Sequence, residues 1–214
     1  GGITMSKLQD VENAVVSGKS KLVAGLVQEA LDEGCSAPDI LNGMINAMGI
    51  VGERFKKNEI FVPEMLVAAR AMKKGVDVLK PHLASGSAGV CGKAIIGTVA
   101  GDLHDIGKNL VAMMIESAGF EVIDLGVDVP VEKFIETVKA NPDVKIVGCS
   151  ALLTTTMPAL KSTVEALNAE DFRSHIKVMV GGAPITQEFA NEIGADAYTP
   201  DAASAAQKAK ELVA

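Results

Sequence analysis

The hydrophobic period of this chain changes once, near residue 84, and that change dictates two differently built halves. Up to residue 83, apolar side chains recur every three or four residues, the spacing of one helix face. Leu8, Val11, Val15 and Val16 mark a first helix that stops at Gly18. Leu22, Leu26, Val27, Ala30 and Leu31 mark a second, which stops at Gly34. A third opens at Pro38, where a missing N–H costs nothing, and carries Ile40, Leu41, Met44, Ile45, Met48 and Val51. The fourth runs from Pro63 through Met65, Leu66, Ala69, Met72, Val76 and Leu79 to Pro81. Short connections between amphipathic helices predict an antiparallel, all-α four-helix bundle over residues 5–83. Residues 1–4, ahead of Met5, are read as an addition and set aside.

Residues 84–92 (ASGSAGVCG) are small and aperiodic, the composition of a flexible linker. Past them, residues 93–100 (KAIIGTVA) form a short, continuously apolar run, as a strand buried on both faces requires. Helical spacing follows at 108–117. The alternation then repeats: strand 120–125, helix 130–140, strand 145–150, helix 158–168, strand 176–181, helix 186–193, a short strand at Ala197-Tyr198, helix 202–213. Residues 93–214 are therefore expected to form an α/β domain with a five-stranded parallel, Rossmann-like sheet. The flavodoxin-like order 2-1-3-4-5 leads. It sets the loops after strands 1 and 3 about the switch point, so a ligand is expected between residues 101–107 and 150–156.

Composition removes several classes of function. A net charge of −7, no Trp and one Tyr argue against a nucleic-acid partner. No apolar run reaches the roughly 20 residues of a membrane span, and the start lacks the pattern of a secretory signal. Cys35, Cys91 and Cys149 are too scattered for a disulfide framework or a CxxC site, so a reducing cytoplasm is expected.

The loop after strand 1 reads Gly101-Asp102-Leu103-His104-Asp105-Ile106-Gly107-Lys108-Asn109. It matches neither G-x-G-x-x-G nor a GxxxxGK[ST] phosphate loop. It offers an imidazole between carboxylates, a good transition-metal ligand or proton-transfer group. Asp102, in the same turn, can take the other ring nitrogen and fix the tautomer. The plain alternative is a surface histidine capping the next helix. A zinc site is not expected, because His82 and His175 lie on other segments.

Asp102-x-His104-x-x-Gly107, then Ser150-x-Leu152, then Gly181-Gly182 resembles the B12-binding signature of methionine synthase, methyltransferase-system corrinoid proteins and related mutases. The helical half resembles the cap of the first two, and together the match spans the chain from residue 5. The resemblance implies cobalamin or a related corrinoid as cofactor, with its benzimidazole tail released and buried in the sheet domain. His104 then matches the lower axial ligand of cobalt, and Asp102 its hydrogen-bond partner. Loop residues Leu103, Asp105, Ile106 and Gly107 surround that ligand. Ser150 and Leu152 match the tail channel, and Gly181-Gly182 the place where absent side chains admit it; Thr154 is a further candidate for contact with the cofactor. Methionine synthase completes its relay with a serine; Thr156 stands at the matching place, with Thr154 and Thr155 as neighbours. Phe55, Val62 and Met65 match the cover over the upper face of the corrinoid, or are simply bundle core.

The same resemblance implies a heterolytic cycle. Cobalt(I) takes a methyl group from a donor presented by a substrate:corrinoid methyltransferase (for methanol, a methylamine or a betaine). A methylcorrinoid:tetrahydrofolate or thiol methyltransferase then receives it. On reduction His104 is expected to leave the metal and gain a proton, with Asp102 and Thr156 tuning the exchange. The linker 84–92 is the expected hinge for moving the cap, and a reductive activase is a further implied partner. On this reading the chain is a carrier subunit rather than a complete enzyme. A B12-dependent sensor, a mutase subunit and a corrinoid-free flavodoxin-like protein are the competing readings. A sensor usually adds a basic DNA-binding segment, and a mutase subunit lacks the cap.

Overall fold

The computed structural model describes residues 2–83 and 91–214, with side chains from Lys7 onward. It divides into two compact units, Gly1–Val90 with Ser117–Gly119, and Cys91–Glu116 with Phe120–Ala214. Most of the expected linker and hinge, residues 84–90, lies outside the described residues.

The first unit is built from α1 (Gly2–Val16), α2 (Ser20–Asp32), α3 (Ala37–Lys56) and α4 (Val62–Leu79). Gly18 and Gly34 end α1 and α2 with positive φ, as their positions predicted. The Ser36 hydroxyl accepts from the Asp39 N–H to cap α3, and Glu64 accepts from the Phe61 N–H to open α4. Around the bundle the neighbours run α1, α2, α4, α3. The buried stripe of α2 differs from the expected one. Val23, Val27 and Ala30 are buried, whereas Leu22 is exposed. Leu22 and Val23 are both apolar and lie about 100° apart on the helix, so only the packed neighbours decide which faces inward.

The second unit alternates β1 (Gly92–Val99), α5 (Ile106–Ser117), β2 (Phe120–Val129), α6 (Val131–Ala140), β3 (Val144–Ser150), α7 (Met157–Asn168), β4 (Lys177–Gly181), α8 (Gln187–Ile193), β5 (Ala197–Tyr198) and α9 (Ala202–Val213). The sheet order is β2-β1-β3-β4-β5, with every pairing parallel. Every residue of β1 from Ala94 to Val99 is buried, so both faces of the sheet are covered there. Ile95, Phe134, Val147, Leu160, Val164 and Val178 centre one core cluster. Each such side chain contributes roughly 1.5–3 kcal/mol by leaving water.

β2 corrects the sequence reading. It was expected to end at residue 125 and runs to Val129. Two register shifts explain the extension: Ile96 pairs with Asp124, Gly97 with Gly126 and Val99 with Val129. Bulged residues break the alternation that defines a strand in sequence, yet they leave the ladder able to resume. α5 also starts two residues earlier than expected, at Ile106.

Candidate functional site

β1 stops at Val99, and the turn beyond it carries Asp102 into the protein. Its side chain has 0% exposure, in a loop whose other side chains are mostly exposed. A buried carboxylate must be compensated, and Asp102 receives four donors. The Leu152 N–H and the Thr156 hydroxyl both reach Oδ2 at 2.7 Å. The His104 N–H reaches Oδ1 at 3.1 Å, and His104 Nδ1 lies 2.8 Å from the same oxygen. Burial alone raises the carboxyl's pKa, but these bonds outweigh it and hold the group well below the usual carboxylate range.

An ionised Asp102 has no proton to give, so His104 Nδ1 must be the donor. In the neutral ring Nε2 keeps a lone pair, and among the described residues no protein atom hydrogen-bonds that nitrogen. The imidazole side chain is 52% exposed. Beside it in the loop, Leu103 and Ile106 are 71% and 84% exposed, and Leu153 is also exposed. Large apolar side chains left exposed in the His104 loop and just after β3 make a surface that calls for an apolar cover.

The three consecutive threonines differ in position. Thr156 is buried and touches Asp102, whereas Thr154 and Thr155 are exposed on the short 3-10 turn Thr154–Thr156. The Thr156 hydroxyl has one proton; its 2.7 Å contact with the carboxylate takes precedence over the 3.1 Å contact with the Leu153 carbonyl. Ser150, the last residue of β3, and Leu152, two residues on, are half-buried; the Leu152 N–H meets the same carboxylate. Gly181 ends β4 and Gly182 follows it. A side chain at Gly182 is ruled out by the protein itself: its φ is +129°, and an added Cβ would sit 1.8 Å from the Ala151 carbonyl oxygen. Asp105 and Gly107 are exposed, Asp105 accepting from the Asn109 N–H as α5 begins. In the helical unit, Phe55 is half-buried, Val62 exposed and Met65 fully buried, so these three differ in accessibility.

Three participants were missed in the sequence. Thr98, fully buried, donates to the His104 carbonyl at 2.9 Å and lies 3.1 Å from the Ser150 hydroxyl. With its only proton committed to His104, Thr98 accepts from Ser150. Lys108, nearly buried, sets its ammonium 2.8 and 2.7 Å from the two Asp124 oxygens, joining α5 to β2. Asp128 meets the Gly101–Asp102 turn from β2. No local motif announces them; apart from the Lys108 contact with neighbouring Asn109, the contacts lie 6 to 52 residues away.

A B12 binding domain model matches residues 92–208, and a second B12 binding domain model matches residues 7–80. The chain belongs to the B12-binding corrinoid protein family. It is 46% identical to a dimethylamine corrinoid protein of Methanosarcina barkeri over 209 residues, 97% of each chain. A cobalamin-binding protein of Desulfitobacterium hafniense has a similar fold, with TM-score 0.82 and 33% identity over 97% of this chain and 98% of that one. The methanol:cobalamin methyltransferase complex of Methanosarcina barkeri contains another similar chain. There the TM-score is 0.83 at 27% identity, covering 97% of this chain and 80% of that one. Within this corrinoid protein, no helix among the described residues is long and apolar enough to cross a membrane.

Proposed function

We propose that this protein is a corrinoid-binding methyl carrier of a multi-component methyltransferase system, with His104 as the lower axial ligand of cobalt. The supporting observation is the buried, ionised Asp102 that takes His104 Nδ1 and leaves Nε2 available among exposed apolar side chains. The residues fit a corrinoid: a borderline nitrogen donor for cobalt, and Leu103, Ile106 and Leu153 for the underside of a flat apolar macrocycle. When bound, the corrinoid supplies a cobalt centre that accepts and releases a methyl group.

The chain's own residues orient the ligand and manage its proton. Asp102 fixes the tautomer and the orientation of the ring, leaving Nε2 to face the cobalt. When the ring is released, Nε2 takes a proton and the same carboxylate stabilises the imidazolium. Thr156 shares the charge of Asp102 through its hydroxyl and limits how far it moves toward the ring. Ser150 and Leu152 are assigned to the nucleotide tail, with Gly181 and Gly182, and Thr154 to a further contact with the cofactor. Phe55, Val62 and Met65 are assigned to the cover of the upper face.

Partners follow from this role: a substrate:corrinoid methyltransferase, a methylcorrinoid:tetrahydrofolate or thiol methyltransferase, and a reductive activase. The name borne by the M. barkeri relative puts a methylated amine first among donors to be tried. A reducing cytoplasm suits Cys149, whose thiol is pushed up to about 12 by burial and stays protonated.

The direct test is the visible spectrum of apoprotein loaded with hydroxocobalamin, compared with His104→Ala. Both should bind, the variant with a shifted axial-ligand band and methyl transfer reduced at least about 100-fold. Identical spectra would overturn the ligand assignment. Cobalt methylation with methanol-, methylamine- and betaine-specific partners then identifies the donor.

A further inference from the structure

The loop bearing His104 is held from both strands that flank β1. On the β3 side, the Leu152 N–H and the Thr156 hydroxyl fix the Asp102 carboxylate. On the β2 side, the bulged end of the strand brings Asp128 against the backbone of the same turn. The Gly101 N–H donates to Asp128 Oδ1 at 2.7 Å, and the Asp128 N–H donates to the Asp102 carbonyl at 2.9 Å. The dipeptide Gly101–Asp102 is thus gripped at its first nitrogen and its last oxygen by a single residue.

Asp128 adopts φ +51°, a left-handed conformation that L-residues avoid and Asp tolerates better than most. Such strain persists where surrounding bonds over-determine it. The bulge that carries it is braced as well. Asp124 accepts from the Gly126 N–H at 2.8 Å and from Lys108, whose helix begins directly after the His104 loop. None of these groups belongs to the motif that carries the family resemblance.

We propose that Asp128 is a positioning residue for the axial ligand: it sets the backbone of Asp102, and so how its carboxylate meets His104 Nδ1. This rests on the reading of His104 as the cobalt ligand. Without the grip, Asp102 keeps its β3 bonds, but its backbone gains freedom to turn, and the imidazole it orients loosens with it.

Three substitutions separate side chain from backbone. Asp128→Gly relieves the left-handed strain and removes the acceptor. Asp128→Asn keeps an oxygen acceptor and tolerates the same φ, so it is the conservative rescue. Asp128→Ser, with a shorter acceptor, carries the test if the glycine variant does not fold. Two readouts apply: exchange of the Gly101 amide in cofactor-free protein by NMR, and nitrogen coupling in the EPR spectrum of bound cob(II)alamin. Asp128→Gly is expected to exchange Gly101 about tenfold faster and to lower the ratio of imidazole-bound to imidazole-free cobalt three- to tenfold, roughly the worth of one hydrogen bond. Asp128→Asn should stay within about twofold of wild type, and Asp128→Ser should fall between the two. A wild-type protein with nitrogen coupling and an equally coupled Asp128→Gly overturns the positioning role alone. A wild type with bound corrinoid and no coupling overturns the axial-ligand reading and this proposal with it.

Discussion

Between residues 7 and 83 every buried side chain is apolar or a glycine, including Met44, Met48, Met65 and Met72. The end of the sheet where β1 stops is the opposite. It buries a carboxylate, an ammonium group and two threonine hydroxyls, namely Asp102, Lys108, Thr98 and Thr156, each with a stated partner. Apolar burial is non-directional, and unbranched thioethers fill gaps without fixing a geometry. Hydrogen bonds in a dry environment are directional and costly to leave unmade. One unit therefore tolerates exchange of its core, whereas the other holds a single side chain in one orientation.

The sharpest way to break that contrast is Gly182→Ala. A methyl group there meets the Ala151 carbonyl and demands a disfavoured φ, so unfolding free energy in urea should drop by about 3 kcal/mol or more. A loss below about 1 kcal/mol would mean that this end of the sheet is as forgiving as the bundle.

Asp102→Ala comes next, because it strands the Leu152 N–H and leaves the Thr156 hydroxyl only its longer contact with the Leu153 carbonyl. A loss of about 2–3 kcal/mol is expected, with cobalt ligation by His104 weakened 10- to 100-fold. Its pH signature has a definite sign. The folded-state pKa of Asp102 lies below its unfolded value. Its contribution is therefore complete above the ordinary carboxylate range near pH 4 and is lost as pH falls through the folded value. Wild type should lose stability in acid more steeply than Asp102→Asn, as measured by urea midpoints from pH 6 downward.

Thr156→Val keeps the shape and removes one donor, so about 1–1.5 kcal/mol and a shifted axial-ligand band are expected, with Thr156→Ser restoring both. The smallest effect belongs to the helical unit. Met44→Leu should cost under about 1.5 kcal/mol and leave the spectrum of bound corrinoid unchanged. A spectral change there would show that the two units differ less than their cores suggest.

Legibility in the sequence followed the range of the interactions. Helix stops at Gly18 and Gly34, the apolar run of β1 and the five-strand alternation are local, and each was readable from neighbouring residues. The Asp102–His104 pair was equally readable, because two residues in one turn can meet only within that turn. Thr156 was named from the resemblance beside two confusable neighbours, and only the turn of the short 3-10 segment shows that it, rather than Thr154 or Thr155, faces inward. The stripe of α2 was misjudged at Leu22 and the end of β2 at residue 125, each decided by the elements packed alongside.

By itself, the order of residues determined the two architectures, the parallel sheet and the histidine at its switch point, because these depend on period and spacing along the chain. Only the tertiary structure decided how that histidine is held. The Asp102 carboxylate is fixed from a segment 50 residues onward and its backbone from one 26 residues onward. Bonds between such distant groups leave no period in the sequence; they exist only once β2, β1 and β3 lie side by side.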